Sequence, residues 1–140
     1  MNLWLIDTGP VVAYLNASDP YHADVCAVMD DFTGRSVTTP AVITEAMYFV
    51  GATPGGARAL ATLVDRSGMT VYDVCQPADL RDAALLMERY ADTPMDFADA
   101  TLLLLADVLE IVDVLTLDRR GFSTYRTAEG RRMRLVLDGA

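Results

Sequence analysis

The chain has 140 residues, 52% of them apolar, and carries 20 acidic against 11 basic side chains for a net charge of −9. That size suits one well-packed core and is too short to divide into two domains, so a single domain over residues 1–140 is expected. No apolar run approaches a membrane span, and all eleven basic residues are arginine, which counts against enzyme classes that work through a lysine.

Leu3–Ile6 reads as a short, continuously apolar strand of the kind buried in a parallel sheet. It reaches Asp7 without a basic lead, unlike a signal peptide, so a cytoplasmic protein is expected. Gly9-Pro10 then opens a helix through Leu15. A second helix is predicted from Tyr21 to Phe32, with Val25, Val28 and Met29 as its buried stripe. His22 and Cys26 share a face there, but two ligands do not make a zinc site. Arg35–Thr38 is a weak strand, followed by helices from Pro40 to Val50 and from Pro54 to Arg66 and a strand from Met69 to Val74. Leu80, Ala84, Met87 and Ala91 mark the apolar face of the next helix, and Pro94 to Leu109 forms another. Strands over Val112–Leu117 and Met133–Leu137 close the series. Cys26 and Cys75 lack any metal or disulfide pattern and read as buried thiols.

Strands alternating with helices predict an α/β fold, a three-layer sandwich whose mainly parallel central sheet is flanked by helices. Ligands in such sheets bind beyond the carboxyl ends of the strands. Asp7 and Asp118 lie at that edge.

Thr39-Pro40, Thr53-Pro54 and Thr93-Pro94 share one helix-opening pattern, with threonine as cap and proline in the first turn. Five residues past each proline stand Glu45, Ala59 and Asp99, so the capping pattern alone does not demand an acid. Glu45 and Asp99 have apolar neighbours, and a carboxylate buried among them is costly unless a positive charge meets it. A divalent cation held by Asp7, Glu45, Asp99 and Asp118 is the expectation. Asp96 sits three residues after Thr93, at capping-box spacing, and three before Asp99, so it is either a helix cap or a further ligand. Thr8 and Thr116 flank strand-end acids and can hydrogen-bond them. Between Arg119 and Arg134 six arginines face the single acid Glu129. This local basic strip suits a phosphate ligand, with Arg119, Arg120 and Arg131 as candidates, although a solvated loop accounts for it as well.

Four segments carry a resemblance that spans nearly the whole chain: Leu5–Leu15 (LIDTGPVVAYL), Thr39–Ala46 (TPAVITEA), Arg89–Ala100 (RYADTPMDFADA) and Val114–Phe122 (VLTLDRRGF). Together, in this order, they resemble the PIN-domain ribonucleases, especially VapC-like toxins of type II toxin–antitoxin pairs. The resemblance makes Asp7, Glu45 and Asp99 the three principal acids, Asp118 a less strict fourth and Asp96 an accessory. It implies Mg²⁺ or Mn²⁺, hydrolysis of RNA, frequent homodimers and a cognate antitoxin. Gly9 departs from the polar residue that many VapC toxins carry there. The competing expectation is a catalytically inactive PIN-fold module that binds RNA or a protein partner. Phosphate-accepting receiver domains and haloacid-dehalogenase-type phosphatases are disfavoured. The first uses a lysine, and the second places an aspartate where this chain has Gly9.

Overall fold

A computed structural model describes residues 2–138. Its five strands are β1 (Leu3–Ile6), β2 (Arg35–Thr38), β3 (Thr70–Val71), β4 (Asp113–Leu115) and β5 (Arg134–Leu135). All neighbours pair in parallel, in the order β3-β2-β1-β4-β5. The chain steps outward from β1 to β2 and β3, then returns to the other side of β1 for β4 and β5. The reversal falls between β1 and β4, and a crevice opens there above the carboxyl ends of the strands.

Alternation along β1 sends Leu5 to one face and Trp4 and Ile6 to the other. On the Leu5 face lie α5 (Pro77–Arg89) and α6 (Phe97–Leu109). Every residue of α6 from Ala98 to Ala106 is buried, as expected of a helix that is apolar all round. On the opposite face lie α1 (Thr8–Leu15), α2 (His22–Asp31) and α4 (Gly56–Ser67). The expected three layers are present. α3 (Pro40–Val50) contributes Val42 to the first core and Ala46 and Val50 to the second, so it bridges both layers. Fully burying each leucine or valine contributes roughly 1.5–3 kcal/mol. Among the described residues no helix is long and apolar enough to cross a membrane.

Several element boundaries differ from expectation. The outer strands are shorter because each has only one neighbour to pair with, and β4 stops at Leu115, where Thr116 turns to side-chain bonds. Of the three threonine–proline openings only Thr39 caps a helix, accepting from the Val42 N–H. After Thr53-Pro54 the chain makes a turn, with Gly55 at φ +78°, and α4 begins at Gly56. After Thr93-Pro94 it stays non-helical to Asp96. On α5 the buried face is Ala83 and Leu86, whereas Leu80 and Ala84 are exposed. A short helix not anticipated, α7 (Arg119–Thr124), follows β4. Cys26 and Cys75 are only half-buried. Cys26 Sγ lies 3.6 Å from the His22 ring nitrogens, with no third ligand among the described residues.

Candidate acidic site at the strand ends

Asp7 ends β1 at the crevice and caps α1. Its Oδ1 accepts from the Thr8 N–H at 2.8 Å, and its Oδ2 accepts from the Thr116 hydroxyl at 2.8 Å. The Asp7 N–H donates to Leu115 O at 3.0 Å, which extends the β1–β4 pairing to the acid itself. Thr116 also accepts from the Asp118 N–H at 3.0 Å. One hydroxyl therefore sets the spacing of two acids contributed by different strands.

Asp118 caps α7, its Oδ1 accepting from the Gly121 N–H at 3.0 Å. A side chain at position 121 would run into Asp118 Oδ2, so glycine is required for this carboxylate to sit where it does. Asp96 caps α6: its Oδ1 accepts from the Asp99 N–H at 2.8 Å, and Asp99 Oδ2 accepts from the Asp96 N–H at 3.2 Å. The capping box thus lies one turn later than expected, with Asp96 as cap and Asp99 as its partner rather than Thr93 and Asp96. The preceding loop is tethered by buried Tyr125, whose hydroxyl donates to Pro94 O at 2.6 Å. The Thr39 and Thr101 hydroxyls meet at 2.8 Å and tie the starts of α3 and α6 together.

Asp7, Glu45, Asp96, Asp99 and Asp118 all line one cavity of about 510 Å³. Asp7 (7% exposed) and Asp99 (9%) form its floor, Glu45 is half-buried, and Asp96 and Asp118 stand at the rim. Burial raises the Asp7 carboxyl to about 6 against the pull of the Thr116 and Thr8 hydrogen bonds, with the charges of Asp96 and Glu45 adding to the rise. Burial, then the charges of Asp7 and Asp96, lift Asp99 to about 8. The charge of Asp7 thus favours the protonated form of Asp99.

None of the ion pairs among the described residues involves these five acids. The Thr8 hydroxyl is buried beside Asp7 without any hydrogen-bond partner. An all-oxygen set of uncompensated carboxylates has the chemistry of a hard divalent cation site such as one for Mg²⁺ or Mn²⁺. As the side chains stand, no three among the described residues close around a single point; mutual repulsion favours such spreading. Asp7, Asp96, Asp99 and Asp118 are each held by hydrogen bonds, whereas none among the described residues holds the Glu45 carboxylate.

The candidate phosphate ligands separate. Arg119 and Arg120 open α7 and line an adjoining cavity together with Asp118. Arg119 also reaches Asp138 at 3.0 Å in an exposed pair. Arg131, expected beside them, instead pairs with Asp107 at 2.8 Å and with Glu110 and Glu129, at the end of α6 away from Asp99. It is committed to holding the 127–131 turn against that helix. Phe49 and Asp19 are among the cavity residues that were not anticipated. Phe49 follows Glu45 by one helical turn, a spacing that puts both on one face and was legible. Asp19 lies in the loop between α1 and α2, where no periodicity marks it.

No protein-family model matches the chain. It is 34% identical over 134 residues to ribonuclease VapC26 of Mycobacterium tuberculosis, an alignment covering 94% of this chain and 98% of that protein. The crystal structure of Mycobacterium tuberculosis VapC20, described as a sarcin-ricin loop cleaving toxin, superposes with a TM-score of 0.73 at 20% identity, covering 84% of this chain and 91% of that one.

Proposed function

The chain belongs to the VapC ribonuclease family, and from that premise we propose that it is a toxin-type endoribonuclease that hydrolyses RNA phosphodiester bonds with a divalent cation, Mg²⁺ or Mn²⁺, held by Asp7, Glu45, Asp99 and Asp118. The observation that carries the proposal is the convergence of five acids, two of them buried, on one cavity, with no ion pair to neutralise them among the described residues. An inactive scaffold has no reason to retain that electrostatic cost.

When bound, a divalent cation would lower the pKa of water and offset the charge of the scissile phosphate. The residues of the chain supply the rest. Hydrogen bonds hold Asp7 and Asp99 in place on the floor, and a bound cation would favour the ionised form of both. Thr116 aims Asp7 and orders the start of the Asp118 loop. Arg119 and Arg120 meet the flanking backbone phosphates. His22, the chain's one imidazole, is bonded to Ala13 O at 2.7 Å and does not line the cavity, so it offers no general base there. In this proposal a cognate antitoxin restrains the enzyme, and Asp96 serves first as the cap that orients Asp99.

Cleavage of end-labelled single-stranded RNA, run with Mn²⁺ and with chelator, tests the proposal together with Mn²⁺ calorimetry. Wild type should cut only with metal, and Asp99→Asn should lose at least a hundredfold in kcat while keeping its circular dichroism spectrum. Equal turnover in chelator, or an undiminished Asp99→Asn enzyme, would overturn it.

A further inference from the structure

A second cavity, about 690 Å³, opens beside the acidic one, and the two share Leu117 and Asp118 as a common wall. Its volume lies within the roughly 300–1,000 Å³ typical of small-ligand clefts. Val28 and Leu137 give it an apolar floor, Arg119 and Arg120 enter from α7, and Tyr21 and Asp24 enter from the start of α2. Tyr21 is 51% exposed, which leaves its ring available to a flat ligand.

This is the composition of a nucleotide site. The apolar floor and the tyrosine ring suit the faces of a base, since base–aromatic stacking tolerates any sequence. The two guanidinium groups suit a phosphate at the α7 side, next to the acids. Asp24 adds selectivity. A carboxylate accepts two parallel N–H bonds only from the guanine edge, which presents a ring N–H beside an amino group. Adenine and cytosine pair their amino group with a ring nitrogen that repels a carboxylate, and uracil flanks its N–H with carbonyls.

We infer that the cavity between α2 and α7 is a subsite for the nucleotide next to the scissile phosphate, with Tyr21 stacking on its base and Asp24 selecting guanine. The inference rests on the ribonuclease function proposed above and adds to it the placement of the RNA.

The test is cleavage of a randomised single-stranded RNA pool by the full chain with Mn²⁺, followed by mapping of the cut ends. Wild type should enrich guanine about tenfold at one position next to the cut, the scale of one bidentate contact. Asp24→Ala should erase that enrichment while still cutting. Tyr21→Leu should raise KM several-fold with kcat little changed. Cleavage with no guanine enrichment, or with enrichment that survives Asp24→Ala, overturns the subsite and leaves the ribonuclease function standing. If wild type cuts no RNA at all, the ribonuclease function fails, and the cavity is then decided by nuclear magnetic resonance titration of the full chain with guanosine and uridine monophosphates. Shifts at Tyr21, Asp24 and Arg120 amides with guanosine monophosphate support a guanine-nucleotide site, and their absence overturns it.

Discussion

The buried pair Asp7 and Asp99 makes the metal-free protein less stable as pH rises, and this can be measured without any substrate. Both carboxyls hold their protons more tightly folded than unfolded, so between the unfolded value of 3.8 and the folded values of about 6 and about 8 the unfolded chain has released protons that the folded one retains. The free energy of unfolding must fall with rising pH through that window. The cost is absent below 3.8 and complete above about 8. For Asp7 alone the rise corresponds to roughly 3 kcal/mol, at about 1.36 kcal/mol per pH unit, and Asp99 adds to it with the same sign. Other groups titrate too, so the informative quantity is the difference between wild type and Asp99→Asn. The asparagine keeps an oxygen for the Asp96 N–H but cannot ionise. In chelator, urea melts at pH 5 and pH 9 should show wild type losing at least about 1.4 kcal/mol more than the variant. Adding Mg²⁺ at 100 times its Kd should restore about 2.7 kcal/mol to wild type at pH 8, and much less to the variant. Parallel pH profiles for the two proteins would refute the electrostatic account of the site.

Four further outcomes follow from the same geometry. Thr116→Val removes the hydroxyl that bonds both Asp7 and the Asp118 N–H; it should cost about 1–3 kcal/mol of stability and lower kcat more than tenfold with KM little changed, read by urea melts and steady-state kinetics. Tyr125→Phe frees the Pro94 carbonyl, and should cost about 1 kcal/mol and reduce kcat through the loosened Asp96–Asp99 cap, an effect that Tyr125→Leu should exceed. Arg131→Ala breaks the pairs with Asp107, Glu110 and Glu129, so thermal melting should drop while RNA affinity stays within twofold. Salt titration of RNA binding to Asp99→Asn should give a shallow slope of about −1.4, the value for two phosphate contacts on a single strand; a slope steeper than −3 would mean that more of the arginines engage RNA.

Much of this architecture was legible because it rests on local rules. Apolar tetrads such as Leu3–Ile6, bounded by turn residues, became buried parallel strands, and their order placed Asp7 and Asp118 at one edge. What escaped was decided by contacts distant in sequence. Thr93-Pro94 has the same opening as Thr39-Pro40, yet the chain stays extended to Asp96 because Tyr125, some thirty residues on, claims the Pro94 carbonyl. The apolar face of α5 was misplaced by one position, since Leu80 and Leu85 remain exposed and a leucine count favours the wrong stripe. No periodicity could reveal α7, because a six-residue helix is set by its Asp118 cap and by the close approach of that carboxylate to Gly121.

Charge shows the same division between composition and arrangement. The stretch from Arg119 to Arg134 reads as a basic strip of six arginines, yet three of them are engaged within the protein. Arg131 and Arg134 pair with acids near the end of α6 and the start of β4. Arg126 donates to the backbone carbonyls of Ser123, Thr124 and Tyr125. Arg119 and Arg120 are the two that line the cavity beside the acids. A protein of net charge −9 repels RNA at long range. On the proposed function its grip on substrate would come from contact at the site itself, where a bound cation would reverse the local sign and the Tyr21 cavity would receive a base. Association with RNA should for that reason depend on divalent metal more steeply than on monovalent salt.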